Sequence, residues 1–207
     1  CCCCVCCFLL WLVPLLALSA TVVSQLFLQD PSWEAGVFSE EGRMYVPPNA
    51  TLVLSDTDKA CASEGLMRAI TSYNTDHPWY LVHFKARKGP GMQRAADLTA
   101  WWLPGPQPLA PRVVVMHSVA SNFNGQEAQV TAYLLRTMGF GVLLPSMRDH
   151  GFSGPSGHAS AGMAFDYPYD VLGSWDYAVE DPDGRLGGSL PPEKVGIMGF
   201  AWGGFAS

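Results

Sequence analysis

Positive charge is scarce in this sequence: 12 of its 207 residues are Lys or Arg, against 18 Asp or Glu, for a formal net charge of −6. A chain with so few cations has no basic stripe to neutralise phosphates, and no nucleic-acid partner is expected. Cysteine is scarce in the body of the chain. Six of the seven are Cys1, Cys2, Cys3, Cys4, Cys6 and Cys7, and only Cys61 lies further on. That distribution excludes a disulfide framework running through the body. It also lacks the spaced pairs that wrap a tetrahedral ion, so neither a metal nor a cofactor is expected. Charge of either sign is missing altogether before Asp30.

What is there is apolar, at 49% of the residues, and a chain of this length buries one core of ordinary size. The first 29 residues read as a cysteine-rich membrane anchor or signal segment. Residues 5–28 are almost wholly apolar, and a bilayer core is crossed by roughly 20 such residues in helical form, with proline tolerated. A cleaved signal peptide is the rival reading, with an apolar core over 8–18 and small residues at Ala17, Ser19 and Ala20. The return of apolarity over 21–28 favours a single-pass anchor, and with it the lipid bilayer as a partner. The six N-terminal cysteines are then palmitoylation candidates, should they face the cytosol. No Lys or Arg occurs before Arg43, so the positive-inside rule gives no orientation. Residues 30–55, with Pro31, Pro47 and Pro48, read as a linker, and Asn49 opens an Asn-Ala-Thr sequon that matters if the body is lumenal. The chain starts without methionine, so further residues are expected upstream.

Residues 56–207 form the body. A modest helical pattern covers 56–71 behind the candidate cap Ser55. Residues 79–87, rich in aromatics, turn through Lys88-Gly89-Pro90-Gly91 toward 97–104, which predicts two strands joined as a hairpin. From residue 112 the rhythm changes. The run RVVVM, 112–116, has the continuous apolar character of a strand buried on both faces in a parallel sheet. A helix is expected over 124–138, with Ala128, Ala132, Leu135 and Met138 on one stripe and Gly139 as the stop. Residues 140–145 read as another buried strand. Asp170 is a candidate cap for a helix whose apolar face holds Val171, Leu172, Trp175, Ala178 and Val179, and 195–198 reads as the third buried strand. Strands and helices alternating through short connections predict a doubly wound α/β sheet.

Four blocks in this order resemble the α/β-hydrolase fold, particularly membrane-anchored serine hydrolases of the serine aminopeptidase S33 and ABHD-like kind. AWWLPGPQPLAPRVVVMHSVASNFNGQ, 100–126, is similar to the family's hairpin strand, central strand and His-Gly oxyanion loop. MGFGVLLPSMRDHGFSGPSG, 138–157, is similar to the next strand and the D-x-R-G-H-G-x-S loop. YDVLGSWDYAVE and KVGIMGFAWGGFAS are similar to the helix before the nucleophile and to the G-x-S-x-G elbow. The resemblance implies an incomplete α/β-hydrolase-type sheet, preceded by the apolar segment, and a small acyl, ester or peptide ligand.

The departures carry as much information. Gly199 and Gly203, with Gly204, keep the small residues of the elbow, but Ala201 stands at the nucleophile position, where the resemblance implies a serine. In this fold the acid and the histidine follow the nucleophile, yet all five histidines (His77, His83, His117, His150, His158) precede Ala201. The chain is therefore expected to be the front part of a longer product. His117-Ser118 stands where His-Gly is usual, leaving the backbone N–H groups of Val119 and Trp202 as the oxyanion-hole candidates. His117 and His150 read as structural, and Asp149 as a loop residue that shapes the site. Ser118, Ser121 and Ser207 have no recognisable base and are disfavoured as replacement nucleophiles. The leading expectation is a membrane-associated protein of serine esterase, peptidase or thioesterase ancestry that has lost classical serine hydrolysis. A non-catalytic ligand-binding or scaffolding module, and a fragment of an enzyme with altered chemistry, remain as alternatives.

Overall fold

The computed structural model describes residues 56–75, 78–118, 121–123, 125–156 and 165–207. The expected anchor, the linker, Asn49 and the six N-terminal cysteines lie outside them. Among the described residues no helix is long and apolar enough to cross a membrane.

In chain order the elements are α1 (Asp56–Cys61), α2 (Glu64–Thr75), β1 (Tyr80–Lys85), β2 (Asp97–Leu103), β3 (Arg112–Met116), α3 (Gln126–Thr137), β4 (Gly141–Pro145), α4 (Tyr167–Glu180), β5 (Val195–Gly199) and α5 (Trp202–Ala206). The strands form one sheet in the order β1-β2-β4-β3-β5. β1 and β2 pair antiparallel from Tyr80↔Trp102 to Lys85↔Asp97, the hairpin read from the sequence. β2 runs antiparallel to β4, whereas β3 pairs in parallel with β4 and β5. Crossover helices join the parallel strands, as that geometry requires.

Alternation along the strands divides the core in two. Trp102, Val114, Met116 and Leu143 face one way, against Val171, Tyr177 and Ala178 of α4 and Ala206 of α5. Trp101, Val115, Val142 and Leu144 face the other way, against Ala69 and Tyr73 of α2 and Ala128, Ala132 and Tyr133 of α3. Neighbouring residues such as Trp101 and Trp102 thus serve opposite helical layers, which is why these strands read as unbroken apolar runs.

Several boundaries differ from expectation. The pattern over 56–71 is two helices rather than one, because Ser63 interrupts it and its Oγ accepts the N–H of Leu66 at 3.2 Å, capping α2. α3 begins two residues later than expected, after Gly125. Its stop is as read: Gly139 has φ 101 and its N–H donates to the carbonyl of Arg136. β5 is less buried than a central strand, with Ile197 and Met198 each 38% exposed. It has a paired neighbour on one side only among the described residues.

The largest correction concerns Asp170. It does not cap α4, which starts three residues earlier at Tyr167 with Pro168 in its first turn. Its carboxylate instead accepts the backbone N–H of Arg148 at 2.9 Å, Nε at 3.0 Å and Nη2 at 2.7 Å. Both side chains are out of water, at 3% and 0% exposure. Burial pushes the Asp170 carboxyl up to about 6, against the opposing pull of Arg148. A second buried cation ties down the other end of α4. Arg112 donates to the carbonyls of Ala178, Leu186 and Gly188 and lies over the Trp102 ring. α4 is thus pinned near both ends by guanidinium groups that cross the core.

Breaking a buried pair on one side strands the other charge. Asp170→Asn is therefore expected to cost about 3–5 kcal/mol of stability, read from urea unfolding of the full chain. A loss below about 1 kcal/mol would show that the pair does not anchor the loop.

Candidate functional site

At the end of β5 the chain reverses into a helix within two residues. Phe200 donates its N–H to the carbonyl of Met116 at 3.0 Å, continuing the sheet, and α5 begins at Trp202. Between them Ala201 has φ 45 and ψ −110. Few L-residues adopt that conformation, and it costs about 1–3 kcal/mol. The turn holds it there: the Ala201 carbonyl accepts the N–H of Phe205 at 2.9 Å, and the N–H of Gly203 donates to Phe200 at 2.8 Å.

The glycines explain how tightly this turn is drawn. A Cβ on Gly199 would sit 2.4 Å from the backbone of Gly203 and Gly204. One on Gly203 would sit 2.4 Å from the carbonyl oxygen of His117 and 2.8 Å from that of Met116. α5 therefore packs backbone to backbone on the ends of β5 and β3, a distance that only glycine permits. Ala201 stands at the apex of this strand–turn–helix, exposed to solvent.

The other candidates distribute unevenly around it. Trp202, the first residue of α5, is half-buried; its ring lies 6.4 Å from that of Phe205 and packs on the core beneath α4. Its N–H, at the first helical position, has no intrahelical acceptor. Val119 lies outside the described residues, as do His77 and His158. His83 is on β1, four strands across the sheet from β5, with Nδ1 3.1 Å from the Thr99 hydroxyl.

His117 and His150 form a buried pair, their rings 5.0 Å apart. Nε2 of His117 accepts the N–H of Met147 at 3.0 Å, and Nδ1 lies 2.6 Å from the carbonyl of Ser118, which places the proton on Nδ1. Burial, reinforced by His150, pushes His117 down to about 3. Burial lowers His150 as well, and its Nδ1 donates to the carbonyl of Arg148 at 2.8 Å. His117 splices the end of β3 to the loop after β4, whereas the His150 hydrogen bond closes within that loop and its ring packs on His117. With each ring nitrogen of His117 committed to backbone, it is no base for a group at residue 201. Asp149 reaches a left-handed φ of 63, and its Oδ1 accepts the N–H of Ser156 at 2.6 Å, closing the same loop. Sequence reading assigned these residues to the loop but missed the Arg148–Asp170 pair beneath it. An aspartate inside an otherwise apolar helix face was the available signal.

No family model matches the chain, and no curated protein matches it. Solved structures do. It is similar to the α/β hydrolase GrgF from Penicillium sp. sh18, with a TM-score of 0.50 and 15% identity over 63% of this chain and 40% of that one. It is also similar to the esterase Pf2001 from Pyrococcus furiosus, at 0.47 and 18%, over 75% of this chain and 47% of that one. A third likeness is to Est1E from Butyrivibrio proteoclasticus, solved with ferulic acid bound, at 0.43 and 18%, over 54% and 41%. The chain spans less than half the length of these three proteins. The likeness to GrgF establishes the fold: the described residues build an α/β-hydrolase-like sheet with its helices.

Two measurements test this geometry. Ala201→Gly removes the steric cost of the left-handed backbone and is expected to raise stability by about 1 kcal/mol in urea unfolding. A loss of stability would mean that the apex is unstrained. His117 titrates near 6.5 when unfolded but near 3 when folded. Its contribution to stability is thus complete above pH 6.5 and is lost as pH falls through that window, because the unfolded chain takes up the proton first. His117→Gln should flatten stability against pH between 6.5 and 3, and an unchanged slope would contradict the burial argument.

Proposed function

We propose that this chain is the elbow-bearing part of a membrane-associated α/β-hydrolase-like protein of serine esterase, peptidase or thioesterase ancestry, in which classical serine hydrolysis has been lost at residue 201. The observation that carries the reading is the backbone of Ala201. A turn with φ 45, glycines at both shoulders and an exposed apex is an arrangement for presenting one side chain above the end of the sheet. The side chain presented is a methyl group. It has no proton to give to a base and no lone pair with which to attack a carbonyl, so no acyl-enzyme forms there. Where the rest of a triad is intact, deleting the serine costs on the order of 10⁶ in turnover.

The histidines support the same reading. His117, at the end of β3, is locked neutral between two backbone groups. A small acyl, ester or peptide ligand could still be held where the N–H of Trp202, together with that of Val119, would meet a carbonyl oxygen. That gives a binding module rather than a catalyst. The resemblance to S33 and ABHD-like hydrolases and the apolar run over 5–28 are what support a membrane location for such a module.

The full chain, expressed with its apolar segment, is expected to take up no fluorophosphonate probe and to turn over no p-nitrophenyl butyrate. Ala201→Ser should gain probe labelling at that residue if a base and an acid exist elsewhere in the protein. Labelling of the unaltered chain, mapped to a serine by peptide mass spectrometry, would sink the proposal.

A further inference from the structure

The few cations of this chain are not evenly spread. Lys85, Arg87, Lys88 and Arg94 fall within ten positions, 85–94, that contain no acidic residue, and all four are exposed. They sit at the end of β1 and in the turn toward β2. Lys85 pairs with Asp97 and Arg87 with Asp176, whereas Lys88 and Arg94 make no ion pair among the described residues.

Contacts fix where this turn lies. Arg87 donates its N–H to the carbonyl of Tyr169 at 2.9 Å, and Gly89 is close enough to the Tyr169 ring that a Cβ would meet it at 2.6 Å. The turn therefore rests on the first turn of α4, immediately after Phe165. Sδ of Met92 lies 3.6 Å from Nη1 of Arg148, in the loop that carries Phe152, and that nitrogen lies 3.6 Å from Asp166. The basic turn, Phe152 and Phe165 thus share one end of the fold. β1 and β4 both run antiparallel to β2, so this is the end at which β1, β3, β4 and β5 finish and Ala201 is presented. There Phe165 is 85% exposed and Phe152 37%.

One fully projecting aromatic ring, Phe165, and a partly exposed one, Phe152, which also packs against Phe123 at 6.0 Å, lie at the same end of the fold as two unpaired cations. Together they fit a lipid interface, where the rings enter the headgroup–acyl boundary and the cations meet anionic headgroups. An acidic protein partner would need only the cations. We propose that this end of the fold docks on an anionic lipid surface, with Lys88 and Arg94 on the headgroups and Phe152 and Phe165 at the boundary. The contact turns the presented residue 201 toward the bilayer whatever its chemistry, and it does not depend on the reading of Ala201 given above.

Hydrogen exchange of the full chain in phosphatidylcholine vesicles, with and without phosphatidylserine, tests this even if the apolar segment tethers the chain to both. Two unpaired cations shift the docked population by about 30-fold on an anionic surface. The amides of residues 88–95 should exchange more slowly when phosphatidylserine is present, less so as salt rises. The difference should vanish in K88E/R94E, whose sites are exposed and whose fold far-UV circular dichroism would check, and should shrink in Phe165→Ser. Equal exchange in the two vesicles, or protection that survives K88E/R94E, would overturn the proposal. Protection by soluble polyglutamate but not by vesicles would overturn it too, and would assign the face to an acidic protein partner.

Discussion

The contact on which the rest of the site depends is the approach of α5 to the ends of β3 and β5. Gly203 lies so close to the carbonyls of Met116 and His117 that a methyl group does not fit. A helix drawn in that tightly leaves too little chain between Gly199 and Trp202 for an ordinary turn, and Ala201 absorbs the difference in its backbone dihedrals. The apex is a by-product of packing rather than of local preference, because alanine on its own favours right-handed helix. The geometry of this turn is thus set by backbone packing, and it holds a methyl group at its apex.

The same economy of space governs the neighbouring loop. His117 and Arg148 fasten it to the end of β3 and to α4, and His150 bonds within it, all three groups being buried. None of them can leave its partner without stranding a polar group in the core. The atoms that hold the loop are those that chemistry would need: both ring nitrogens of His117 are bonded to backbone, and burial holds it near 3. Structure and chemistry compete for the same atoms here, and structure has taken them.

The strands and the hairpin were legible in the sequence because period-two alternation and continuous apolar runs are local signals. β3 and β5 lie where the sequence predicts buried strands at 112–116 and 195–198, and Gly199 and Gly203 flank the turn between β5 and α5. The start of α4 was not legible. Asp170 has the residue type of a cap, and only its partner 22 positions upstream reveals it as the buried half of an ion pair. The break between α1 and α2 turned on one serine hydroxyl. The cluster of cations and exposed aromatics is hidden for another reason. A global charge of −6 masks four cations gathered at the end of β1 and in the turn after it, and the exposure of Phe165 is visible only once α4 is placed.

The central claim is that residue 201 is a presentation site from which the reactive atom is missing. The most direct test puts a reactive atom back without requiring any base. The alkylation rate of the thiol introduced by Ala201→Cys in the full chain, followed by peptide mass spectrometry with iodoacetamide, can be compared with that of the exposed Cys61 in the same molecule. An apex at a helix N-terminus lowers the pKa of a thiol and exposes it. The account predicts that the introduced thiol reacts severalfold faster than Cys61 near neutral pH. A thiol at residue 201 that reacts no faster, or is protected, would contradict it.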